Sequence, residues 1–65
     1  MKILLGEVMI ERDITYKELA ELSGISKSTL HRIAMRSVSP TMDNMERIAM
    51  ALNIRITDLY DSQYK

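Results

Sequence analysis

Apolar residues recur along this chain at steps of three and four and almost nowhere at steps of two, which predicts helices joined by short turns. The clearest stripe is Met45, Ile48, Ala49 and Leu52, the inner face of a helix from about Met42 to Leu52. Thr41 caps its start, and Asn53 suits the turn at its end. Leu5, Val8 and Met9 mark a first helix, about Leu5 to Arg12, with Gly6 near its beginning and Met1 to Leu4 left as extended chain. A second helix opens at Thr15-Tyr-Lys-Glu18, a capping box in which the Thr hydroxyl takes an amide three residues on and the Glu reaches back. Ile14, Leu19 and Ala20 form its apolar side. Ser23-Gly24-Ile25 breaks it, because Gly24 can supply the positive φ of a tight turn. Ser26 caps a third helix, about Lys27 to Met35, with Leu30, Ile33 and Ala34 on one face. Ser37 to Pro40 reads as a loop, and a short fifth helix, about Ile56 to Asp61, presents Ile56, Leu59 and Tyr60. The expected fold is all-α, a compact five-helix bundle with a central helix-turn-helix over about residues 15–36, in one domain spanning residues 1–65.

Composition narrows what such a bundle can do. A chain of 65 residues buries only about 60% of the surface its unfolded form exposes. With no cysteine and a single histidine, neither disulfides nor the usual zinc ligand sets can be assembled, so no metal site and no cofactor are expected. No apolar run approaches the ~20 residues of a membrane span. The opening run is interrupted by Gly6 and Glu7 and carries no cleavage site of small residues. The expectation is a soluble, cytoplasmic protein with no membrane partner and no evident small-molecule ligand. Of the six methionines, Met9, Met42 and Met45 fit the core, whereas Met35 and Met50 fall on outer faces.

Charge is what singles out one helix. Nine Lys and Arg balance nine Asp and Glu, yet no acid occurs between Glu21 and Asp43, where Lys27, His31, Arg32 and Arg36 lie among Ser26, Ser28 and Thr29. Two short helices joined by a Gly-containing turn form a helix-turn-helix unit. Its second helix, about 12 Å across, matches a DNA major groove about 12 Å wide. The N-terminal half of that helix meets base edges. Here it offers Lys27 and Ser28, with Arg32 one turn on, roughly on one face. Lys and Arg donate to guanine O6 and N7, and small hydroxyls contact bases or phosphates. The absence of acids removes repulsion from the backbone. His31 has no Asp, Ser or Cys at partner spacing and reads as a surface residue near phosphate, not as a catalytic base.

The stretches "ITYKELAELSGISKSTLHRI" and "SPTMDNMERIAMALNIRITDLY" together resemble the lambda-repressor-like helix-turn-helix family, the Cro and Xre type, over roughly Gly6 to Tyr60. The resemblance implies a five-helix fold and sequence-specific binding of double-stranded DNA, usually as a homodimer on a palindromic operator, and so a transcriptional regulator, most often a repressor. By position it implies base reading by Lys27, Ser28 and Arg32. It implies phosphate contacts from Tyr16, where the family commonly has Gln, from Thr29, and from Arg36, Ser37 and Ser39 after the third helix; Ser26, the cap of that helix, and His31 within it are expected to join this phosphate-contacting set. The dimer surface it suggests is Ile54, Ile56, Leu59 and Tyr60. Two departures stand out: Ala34-Met35-Arg36 replaces a frequent Glu-Asn-Gly, leaving no residue that enters the left-handed region easily, and Arg55 stands where a Ser or Thr often caps the fifth helix.

A second function class stays open: a protein-interaction module, such as an antitoxin or adaptor, in which DNA binding is secondary or lost. Neutral net charge and an apolar Met35 beside the basic face keep it in view. An enzyme is not expected, since the chain lacks a nucleophile–base pair, paired catalytic carboxylates and a Gly-rich phosphate loop.

Overall fold

In the computed structural model, which describes residues 1–65, four α-helices surround one core and the two ends of the chain meet in a small sheet. The elements run β1 (Lys2–Ile3), α1 (Leu5–Arg12), α2 (Tyr16–Ser23), α3 (Lys27–Ala34), α4 (Met42–Leu52), a 3₁₀ turn (Ile56–Leu59) and β2 (Tyr60–Asp61). α2 packs against both α3 and α4, and α1 lies against α3. Six side chains are essentially removed from water, and every helix and the 3₁₀ turn contribute at least one: Leu5, Leu19, Leu30, Ile33, Ile48 and Leu59. The α4 stripe lies inward as its spacing predicts, with Met45, Ile48, Ala49 and Leu52 all buried.

Helix ends follow local chemistry. Thr15 Oγ1 accepts from the Glu18 amide at 3.1 Å, and Glu18 Oε1 accepts from the Thr15 amide at 3.0 Å, completing the capping box. Ser26 and Thr41 cap α3 and α4 in the same one-sided way, accepting from the Thr29 and Asn44 amides. Gly24 takes φ 73° in the tight turn between α2 and α3, and Asn53 takes φ 54° after α4. Asp13 does likewise after α1, at φ 54°.

Three expectations are corrected. The fifth helix is absent: four residues form a 3₁₀ turn, after which Tyr60 is fully extended at φ −149°, ψ 158°. A segment that short gains too few hydrogen bonds to nucleate an α-helix, and it finds a strand partner instead. Ile3 pairs with Tyr60 and Lys2 with Asp61 in antiparallel register, and the Leu4 amide donates to the Leu59 carbonyl at 2.8 Å. The Arg55 side chain makes no cap; Asp58 Oδ2 accepts from the Arg55 amide at 3.0 Å and closes the turn from the other side. Met42 is not core but 68% exposed, because it sits at the first position of α4 and the loop before it, itself largely exposed, does not cover it. α3 ends at Ala34, one residue short of the expected Met35.

The capping box makes a pH-dependent contribution. The Glu18 carboxyl lies below the ordinary carboxylate value of 4.5, held there by hydrogen bonds from Thr15, the backbone amide foremost. Because the folded-state value is the lower one, this contribution is complete above the unfolded value and disappears as pH falls through the folded one. Glu18→Gln is expected to flatten that part of the acid limb in a plot of melting temperature against pH, while leaving the curve above pH 6 nearly parallel to wild type. Unchanged acid sensitivity in the variant would show that the box is energetically silent.

Candidate nucleic-acid interface

The outer face of α3 is the mirror of its core contacts. With Leu30, Ile33 and Ala34 buried, the helical period turns Lys27, Ser28, His31, Arg32 and Met35 outward, and all five are exposed. The one ion pair in the molecule joins Arg36 to Glu7, so the Lys27 and Arg32 cations are free to meet an outside acceptor. At the head of α3 three hydroxyls converge. Ser26 Oγ, besides accepting from the Thr29 amide, donates to Thr29 Oγ1 at 2.8 Å and stands 3.4 Å from Ser28 Oγ. This leaves Thr29 half-buried with its hydroxyl already held, and Ser28 the more available of the two.

The turn between the helices explains the orientation of α3. Ser23 is buried, and its Oγ accepts from the Ile25 amide at 3.2 Å. Ile25 itself is buried in the core. Gly24 supplies the positive φ between them. The chain therefore has one compact way to turn from α2 into α3.

Tyr16, at the first position of α2, lies across the pair. Its ring meets that of His31 edge to face, with centroids 5.4 Å apart and planes at 68°. Tyr16 also lines an open groove of about 520 Å³ with Met9, Ile10, Ile14 and Met35. On that groove Ile10 is 83% and Met35 58% exposed. Neither the ring pair nor the groove has a signal in the sequence, since both join residues from separate helices.

Downstream of α3 the structure uses the expected phosphate-contacting residues differently. Arg36 adopts φ 62° and closes the helix: its amide donates to the Ile33 carbonyl, and the Ser37 amide donates to the Arg32 carbonyl. This is the two-bond C-terminal closure that normally carries glycine. The Arg36 side chain points away from the basic face. Nε donates to the Ile3 carbonyl at 2.8 Å and Nη2 to Glu7 Oε2 at 2.6 Å. The Glu7 carboxyl lies below its ordinary range, through a backbone hydrogen bond in the first turn of α1 and then through Arg36. The Ser37 hydroxyl donates to the Arg32 carbonyl at 3.1 Å, whereas Ser39 is exposed. Of the suggested dimer residues, Leu59 is buried in the protein's own core, and Ile54, Ile56 and Tyr60 are half-buried against it.

A tight two-helix turn presenting a free basic stripe, braced from behind by further helices, defines a helix-turn-helix DNA-binding domain. Residues 5–63 match the model of the Cro/C1-type HTH DNA-binding domain, and the chain belongs to that family. It is 36% identical over 59 residues to YopS of Bacillus subtilis (strain 168), an SPbeta prophage-derived uncharacterized HTH-type transcriptional regulator; the match covers 89% of this chain and 80% of that protein. No solved structure matches the chain.

Arg36 separates two energetic effects. Ala and Gly at this position both lose the tie to Ile3 and Glu7, but only Gly relieves the left-handed backbone, worth about 1–2 kcal/mol, less the ~0.4–1 kcal/mol its freer unfolded chain costs. Both variants are expected to be less stable than wild type, with Arg36→Gly above Arg36→Ala by about 0.5–1 kcal/mol in urea unfolding. Equal stability of the two would show that the strain at φ 62° is no larger than the ~0.4–1 kcal/mol that glycine's freer unfolded chain costs, and Arg36→Ala above Arg36→Gly would show that there is none.

Proposed function

We propose that this member of the Cro/C1-type family regulates transcription by seating α3 in the major groove of a specific duplex, with Lys27, Ser28 and Arg32 reading base edges. The observation that carries this reading is the stripe of unpaired cations on the outer face of α3, in a stretch of chain without a single acid. Tyr16, Ser26, Thr29, His31, Ser37 and Ser39 then border the phosphates on either side. Arg36 leaves the phosphate set and serves instead to hold the end of α3. The protein works in the cytoplasm on DNA, needs no cofactor and catalyses no reaction.

A domain of this size buries only about 600–1,000 Å² on DNA, so specific binding is best supplied by two copies. On a palindromic operator, two copies related by a two-fold axis would place their α3 helices about 34 Å apart, one duplex turn. Ile54, Ile56 and Tyr60 are the remaining surface candidates for the contact between copies. Occupying a promoter in this way represses it.

The apolar groove beside α3 favours one further reading, in which a partner protein covers Ile10 and Met35 and DNA binding is secondary. Salt separates the two. Duplex binding weakens with a log–log slope of about −0.9 for each phosphate neutralised, whereas an apolar interface responds little.

Selection of bound duplexes from a random library, followed by salt titration of the best one, is the direct test. The expected result is a palindromic consensus with a steep salt slope. Arg32→Ala is expected to cost about 1–3 kcal/mol on that duplex and to relax the preference at one base position. A uniform loss on matched and mismatched sites would remove Arg32 from the base-reading set. Failure to enrich any sequence would favour the protein-partner reading.

A further inference from the structure

The Tyr16–His31 pair joins the two helices of the DNA-binding unit through an exposed imidazole and a half-buried phenol. Tyr16 is held from behind by its packing against the buried core. Its ring in turn limits the positions His31 can take. A side chain braced in this way loses less rotamer freedom on binding than a free one on an open helix face. His31 shares its face with Lys27, one turn before it, and Arg32, its neighbour. That places it among the residues directed at the duplex.

The charges around His31 matter as much as its position. On α3 the charged neighbours are Lys27 and Arg32, both cations without a partner in the molecule. On α2 they are Lys17 and Glu18, and the Glu18 carboxylate is already occupied by the Thr15 amide. At the end of α1, Asp13 lines the same groove as Tyr16, and Glu7 is taken by Arg36. No carboxylate lies within 4 Å of the imidazole. A counter-ion for its protonated form is therefore missing from the free protein, and a backbone phosphate of the duplex would supply it. Imidazole is the side chain whose ordinary titration falls between about pH 5 and pH 8.

We propose that His31, braced by Tyr16, is a proton-linked phosphate contact, so that each protomer takes up a proton at this ring when it binds duplex DNA. The inference rests on the DNA-binding mode proposed above and adds a dependence which that mode does not require. The sign follows from linkage. A phosphate beside the ring favours the imidazolium, so the bound protein holds the proton to higher pH than the free protein does. Affinity rises as pH falls between those two points, by at most tenfold per pH unit for each protomer, and levels off below both. Lys27 and Arg32 keep their charge throughout this range and add no slope.

The chain contains one histidine, so its imidazole resonances can be followed by NMR without assignment. The test uses the full chain and the duplex recovered by selection, at constant ionic strength. The titration midpoint of His31 is expected to move upward when the duplex is added. His31→Gln should bind with a flattened pH profile, and His31→Arg should bind at high pH as tightly as wild type does at low pH. Tyr16→Leu, which removes the brace, should reduce the shift of the midpoint. A midpoint that does not move, or an equally steep profile in His31→Gln, would overturn the proposal even if binding remained specific and salt-dependent. Absence of salt-dependent duplex binding by wild type at every pH would overturn it together with the DNA-binding mode. Melting curves of the His31 variants, expected to overlay that of wild type at this exposed position, and of Tyr16→Leu, whose ring packs partly on the core, separate loss of fold from loss of contact.

Discussion

The exposed face of α3 exists because of its buried one. Leu30 and Ile33 are withdrawn from solvent almost completely, together with Leu19 of α2 and Ile48 of α4. Each such side chain contributes about 1.5–3 kcal/mol by burial, a large share of the stability a domain this small can have. A rotation of α3 about its axis would bring Lys27 or Arg32 toward that core, where an unpaired cation is far more costly than the gain from any apolar contact. Core packing and the display of the basic stripe are thus one constraint seen from two sides. α2 is central to it, since it packs on both α3 and α4.

Around this core the chain closes its helices with few glycines. Asp13, Arg36 and Asn53 all take positive φ, and only Gly24 does so without a side chain to accommodate. Asp and Asn tolerate the left-handed region comparatively well, but Arg does not. What offsets the cost at Arg36 is the tie of its guanidinium to the Ile3 carbonyl and to Glu7. That tie links the end of α3 to β1, and β1 is paired with β2. The two ends of the chain therefore support the recognition helix from behind, although neither lies next to it in sequence.

This division between local and distant causes explains which features the sequence made legible. The capping box at Thr15, the turn at Gly24, the cap at Ser26 and the stripe of α4 depend on residues within one or two turns of each other, and periodicity finds them. Spacing alone predicts a fifth helix where the 3₁₀ turn and its strand lie, because the partner of Tyr60 is Ile3, at the other end of the chain. Met42 keeps the spacing of the α4 stripe but sits where the helix runs past the core. On the outer face of α3, the exposure of Lys27 and Arg32 follows from charge and period. That Arg36 would turn toward α1, and that His31 would meet Tyr16, are consequences of packing between helices, and no spacing within one helix encodes them.

Formal neutrality fits a DNA-binding face once distance is considered. The molecule is 21 Å across at its narrowest, and at physiological ionic strength electrostatic effects decay over about 8 Å. In the binding mode proposed above, an acid on the opposite side would lie more than two such lengths from a phosphate approaching α3 and would hardly weaken the pull of Lys27 and Arg32. Those acids do act elsewhere: they deny the duplex a general attraction to the rest of the surface. Non-specific affinity, which is almost wholly electrostatic, is thereby limited to a few contacts. In the proposed mode a larger part of the binding energy would be left to base edges and to the fit of one helix in its groove, and it is this part that would distinguish one sequence from another.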